Sequence, residues 1–166
     1  MLLPFALLVV AAGAPETSED HASKHFVLAA KIVAGTSRAA DATTPLFGPG
    51  LDAELFLWDG GLELELAGAA LLGHQVTSIP LELLLKKTFH VEERMDLFVA
   101  AGGIMNVVLH SEDPTSVVPG GIVLFGAYVW QGAHFGLVVE MAYAMLDKRE
   151  HFEHDLEGAV GVAYRM

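Results

Sequence analysis

The chain has 166 residues and a formal net charge of −12, so it holds a single domain and neither nucleic acid nor an anionic surface is its electrostatic partner. Hydrophobic residues make up 53% of it and the mean hydropathy is +0.47, yet no run reaches the roughly 18 apolar residues of a spanning helix. Cysteine is absent, which excludes disulfides, thiolate metal sites and a cysteine nucleophile. Apolar residues spread over short segments point to strands. A closed barrel is the other structure that satisfies every backbone group in lipid, with strands of about 9 to 11 residues.

Taken in chain order, residues 2–12 are apolar and are followed by small residues at Ala11, Ala12, Gly13 and Ala14 and by a polar stretch from Pro15 to Asp20. This is the layout of an export signal. It predicts a signal peptide over 1–14 cut near 12–14, a short polar segment over 15–23, and a barrel over 24–166.

Beyond residue 23 the pattern has period two, as a strand with two unlike faces requires. Within 51–57 the odd positions are apolar, and Asp52 and Glu54 share the other face. Within 62–66 the even positions are leucine and Glu63 and Glu65 oppose them. Between these runs, Asp59-Gly60 is a strong hairpin signal, because both central residues of the favoured turn take positive φ. Alternation recurs at Ile79, Leu81, Leu83 and Leu85 against Glu82 and Lys86, and at Met95, Leu97 and Val99 against Asp96. It continues from Phe135 to Met145 against His134 and Glu140, and ends with Val160, Val162, Tyr164 and Met166 against Glu157, Gly161 and Arg165. Eight strands are expected, over 24–35, 47–58, 61–72, 78–87, 94–106, 117–130, 132–146 and 156–166. The stretches 98–106 and 117–130 are apolar or glycine-rich on both faces, so their facing is left open. Turns at Asp59-Gly60 and Gln131-Gly132 are short, while 36–46, 110–116 and 147–155 read as longer loops, an asymmetry of short turns on one rim and long loops on the other.

These features resemble the small eight-stranded bacterial outer-membrane proteins, the class of the OmpA membrane domain and OmpX. The carriers are the signal-like start, the strand and loop rhythm and the closing strand, whose Val160, Val162 and Tyr164 alternate as in that class, while Met166 stands where a terminal Phe or Trp is usual. The resemblance implies an all-β, eight-stranded antiparallel up-and-down transmembrane barrel in the bacterial outer membrane. It further implies a monomer with lipid as its surroundings and recognition of Val160, Val162, Tyr164 and Met166 by the barrel-insertion machinery. Lipid demands apolar side chains outward, and a lumen of eight strands is just wide enough for side chains to fill it. Asp52, Glu54, Glu63, Glu65, Glu82, Asp96, Glu140 and Glu157 would be its acids, with Lys31, Lys86 and Arg165 as partners.

Residues that could carry chemistry are few. The segment 151–155 holds His151 and His154 among acids and could bind a cation, but no fixed ligand spacing supports it, and a solvated loop is the simpler reading. His110, Ser111, Glu112 and Asp113 have the residue types of a hydrolase site, but adjacent loop positions do not create its geometry. No cofactor and no catalytic residue is expected, and no nucleic-acid partner. Trp58 and Trp130 stand before the tight turns, where aromatics anchor a barrel at the interface. Three competing readings remain: a soluble secreted lipocalin-like barrel with an apolar ligand inside, since alternation alone does not say which face points in, a lipid-modifying barrel enzyme, and a narrow cation pore.

Overall fold

The computed structural model describes residues 26–39, 42–58, 61–110, 114–148 and 152–166. The segment expected to be the signal peptide, the Asp59-Gly60 turn, Ser111, Glu112, Asp113 and His151 lie outside the described residues, as do the side chains of Trp58 and His110. The strands are β1 (Phe26–Ala39), β2 (Ala42–Trp58), β3 (Leu62–Ala69), β4 (Leu71–Leu72), β5 (Val76–Glu92), β6 (Met95–His110), β7 (Ser116–Trp130), β8 (Phe135–Asp147) and β9 (Phe152–Arg165). Around the barrel every pairing is antiparallel, and β9 returns to β1, from Val27↔Arg165 to Arg38↔His154, so the sheet closes. β3 and β4 are two pieces of one stave, both held between β2 and β5. They part at Ala70, where β2 comes so close that a Cβ on Gly48 would lie 1.8 Å from the Ala70 carbonyl oxygen. The result is a closed eight-stranded barrel.

The alternation in the sequence becomes two surfaces. Leu28, Ile32, Leu51, Leu83, Phe125, Val139 and Val160 face outward and are exposed, Leu51 to 68%, whereas Lys31, Asp52, Glu54, Glu65 and Lys86 face inward and are buried. Water-soluble proteins rarely expose so continuous an apolar surface. Apolar out and charged in is the reverse of a soluble ligand-binding barrel, and the lipocalin-like reading falls on it. The outward side of β1 is apolar from Leu28 to Ala34 and turns polar at Thr36 and Arg38; at about 3.3 Å per residue and a tilt of about 40°, Arg38 stands about 25 Å above Leu28, where the apolar band of a membrane barrel ends.

Two expectations are corrected. Residues 36–46 are not a long loop: β1 and β2 continue together to the pair Ala39↔Ala42. Polar Thr36, Arg38, Thr43 and Thr44 carry the ladder past the apolar band, since a strand pair needs only backbone groups and tolerates polar side chains in water. The other connections of that rim, 73–75, 111–115 and 148–151, are short too, so the expected contrast between rims is absent. The second correction concerns Trp130. It is an inward residue at 4% exposure, not an interface anchor, because even positions of β7 point into the lumen.

The unassigned stretches resolve by the same parity. Phe98, Ala100, Ile104, Val118, Ile122, Leu124 and Tyr128 all face inward and are buried, so one side of the lumen is apolar. Gly161 opposes Lys31 across the β1–β9 ladder, and a Cβ there would lie 2.2 Å from the Ala30 carbonyl oxygen. We expect Gly161→Val to abolish the compact, heat-shifted gel band of the folded barrel. Gly132→Ala, where a Cβ would meet nothing within 4 Å, leaves the band in place.

Candidate functional site

The charged lumen is the candidate site. Among the described residues its buried cations are Lys31 and Lys86, facing the buried acids Asp52, Glu54, Glu63, Glu65, Asp96, Glu140, Glu153 and Asp155. Every one of them sits at an inward position of its strand, so the period-two pattern of the sequence is what brings them together.

At mid-height Lys86 of β5 reaches across the lumen. Its ammonium is 2.6 Å from Glu54 Oε1 and 3.3 Å from Glu65 Oε2, donates to the Tyr128 hydroxyl at 2.9 Å, and lies 4.0 Å from the centre of the Phe98 ring. Tyr128 in turn donates to Glu54. Glu63 lies across the β3–β5 ladder from Lys86 and is buried beside this group. A single ammonium with no exposure thus holds acids of β2 and β3 and ties them to β7. Burial of that charge costs several kcal/mol unless such partners compensate it.

Farther from the chain ends, Lys31 of β1 pairs with Asp52 of β2 at 2.6 Å and with Glu140 of β8. Beside it is a cavity of about 30 Å³, room for about two water molecules, lined also by Glu82, Glu157 and Leu124. Glu82 is half-buried there. Ser78 donates to Asn106 at 2.7 Å, and Lys148 holds Glu153 at 2.6 Å at the rim.

At the rim with the chain ends, Asp96 gathers three elements. The Trp130 indole N–H donates to its Oδ2 at 2.6 Å, His90 Nδ1 is 2.5 Å from its Oδ1, and Arg165 Nη1 is 3.8 Å from Oδ2 while its guanidinium lies 4.1 Å from the centre of the Trp130 ring. Trp130→Phe keeps an aromatic ring beside Tyr128 and removes the indole donor. It is expected to lower unfolding stability by about 1.5 to 3 kcal/mol, read from the urea midpoint in micelles, the range for hydrogen bonds to charged groups.

The sequence-derived lumen residues Asp52, Glu54, Glu63, Glu65, Asp96 and Glu140 are therefore found inside. Glu82 lines the cavity, and Arg165 is half-buried at the rim. Sequence reasoning missed Phe98, Tyr128 and Trp130, which complete the network from strands whose facing the pattern left open. The signal was there in the even parity of Val118, Ile122, Leu124, Tyr128 and Trp130, masked by the apolar residues of the odd positions. His154 points outward, and among the described residues no group of three or more His, Asp or Glu side chains is placed to hold a metal ion. Val160, Val162, Tyr164 and Met166 all lie on the outer face.

No family model matches the sequence, and no curated protein matches it. Solved structures do match in fold. Neisserial surface protein A is 14% identical, with 85% of this chain and 97% of that one covered and a TM-score of 0.74. Ail, the attachment invasion locus protein of Yersinia pestis, is 10% identical over 87% and 100%, at 0.66. The N-terminal barrel domain of Pseudomonas aeruginosa OprF is 14% identical over 83% and 97%, at 0.60. The chain has the fold of the small eight-stranded outer-membrane β-barrels.

Proposed function

We propose that the chain is an exported, non-enzymatic barrel of a bacterial outer membrane, with a lumen that is an ion-paired plug and a role that is structural or carried by contacts at its rims. The observation that supports this most is the distribution of side chains, with an apolar belt outward and the Lys31 and Lys86 ion pairs inward. In this reading the rim with the chain ends is periplasmic, residues 1–14 are removed on export, and Val160, Val162, Tyr164 and Met166 present the insertion signal from the outer face of β9. The connections of the opposite, external rim are short, so contacts with other molecules fall on strand ends rather than on long loops. Neisserial surface protein A and Ail are by their names surface and attachment proteins, which accords with such a role.

A narrow cation-preferring pore is favoured by one feature, the cavity in which Asp52, Glu82, Glu140 and Glu157 line the same space as Lys31. Conductance across planar bilayers holding the refolded mature chain tests both readings. The plug predicts no discrete current steps. Persistent cation-selective steps that vanish in Glu140→Gln and Glu157→Gln variants would replace the plug with the pore.

A further inference from the structure

On the outer wall, at the edge of the apolar belt away from the chain ends, Arg38 of β1 stands directly across the ladder from His154 of β9. Both are exposed and turned outward. Among the described residues, Lys31, Lys86, Lys148 and Arg165 each face an acid. Arg38 makes no ion pair or hydrogen bond among the described residues. The acids flanking His154, Glu153 and Asp155, turn into the lumen, so neither carboxylate stands beside Arg38 on the outer wall. In a chain with a net charge of −12, an outward guanidinium left without a partner is the exception.

His154 is held in place. Its ring stacks on Tyr143 of β8 with centres 5.9 Å apart, and its Nδ1 is 2.7 Å from the Tyr143 hydroxyl. That contact occupies Nδ1 and leaves Nε2 as the ring nitrogen open to an outside partner. Four residues below the pair, past Thr36 and the exposed Leu156, the wall is hollow. Ala34 opposes Gly158, and a Cβ on Gly158 would approach nothing closer than 3.8 Å. Phe47, 63% exposed, borders this notch from β2.

We infer that Arg38 and His154 form a headgroup site for a lipid that carries phosphate, one of whose acyl chains lies in the Ala34–Gly158 notch. The inference rests on the membrane reading above, which sets the pair at the level where the apolar band ends and headgroups begin. Guanidinium is the side chain best matched to phosphate oxygens, through parallel N–H donors. When Nδ1 accepts from the Tyr143 hydroxyl, the imidazole carries its proton on Nε2 and adds a donor beside it, and the notch supplies the apolar contact that a free anion does not use.

The test is native mass spectrometry of the full mature chain refolded in uncharged detergent, with bisphosphorylated lipid A or its phosphate-free form as the probe. Each sample is first checked for the heat-shifted band. Wild type is expected to retain the phosphorylated probe about tenfold better than the phosphate-free one, the scale of one charge-assisted contact. Arg38→Gln removes that preference, Arg38→Lys keeps part of it, and Arg94→Gln at the opposite rim keeps it whole. No preference in folded wild type, or one that survives Arg38→Gln, overturns the site while the barrel reading stands. Displacement of the probe by inorganic phosphate alone would make a soluble anion the ligand and overturn the lipid. A chain without the heat-shifted band overturns the membrane reading itself.

Discussion

Lys86→Met is expected to be the most damaging single change in the lumen. It removes the ammonium that lies 2.6 Å from Glu54 and 3.3 Å from Glu65 while leaving both carboxylates buried. Breaking one side of a buried ion pair costs about 3 to 5 kcal/mol, because the remaining charge is uncompensated. Urea titration in micelles would show a midpoint lowered by that amount, or no folded band at all. The triple variant Lys86→Met, Glu54→Gln, Glu65→Gln recovers much of the loss, since the amide introduced at position 54 still offers Tyr128 an acceptor and both carboxylates that Lys86 held are neutral. If the single and triple variants were equally unstable, the loss would come from packing against Phe98 and Tyr128 rather than from charge.

A charge on the outer wall tests the other surface. Met141 is an outward residue halfway along β8, between Phe135 and Asp147. Met141→Arg puts a guanidinium near the middle of the bilayer, where the cost in membrane barrels is about 2 to 4 kcal/mol, against about 0 to 1 near the interface. The same change at Phe152, at the rim end of β9, is therefore expected to be nearly neutral. Refolding into lipid vesicles at increasing urea measures the difference. In a water-exposed wall the two substitutions would cost the same.

How much of this was legible in the sequence differs by region. The strands with acids on one face and leucine or valine on the other, β2, β3, β8 and β9, declare both their type and their facing, because the two surfaces they separate have opposite chemistry. The strands β6 and β7 declare only their type. Their inward residues, such as Phe98, Ile104, Ile122 and Tyr128, pack together on the apolar side of the lumen, so both faces look alike. The ends of β1 and β2 resemble loop at Thr36, Ser37, Thr43, Thr44 and Pro45, since polar residues beyond the lipid band carry no alternation to betray a strand. The lumen acids could be named from period two alone, but which cation each one meets could not. Lys31 reaches Glu140 from β1 to β8, and that meeting depends on the stagger of the closed sheet, which no local pattern encodes. Arg38 and His154 likewise became neighbours only through the closing β1–β9 ladder.

The claim on which the rest depends is that the leucine and valine face of every strand meets acyl chains. The sequence has no cysteine, so single cysteines can be placed at Leu28, Leu83, Phe125 and Val139, four outward sites around the barrel, and labelled with a small fluorophore. In vesicles whose acyl chains carry bromine, a quencher confined to the bilayer, all four labels are predicted to lose most of their emission, whereas a label at Gln131 on the rim stays bright. A chain that remained soluble without lipid, its four labels unquenched when vesicles were added, would contradict the account.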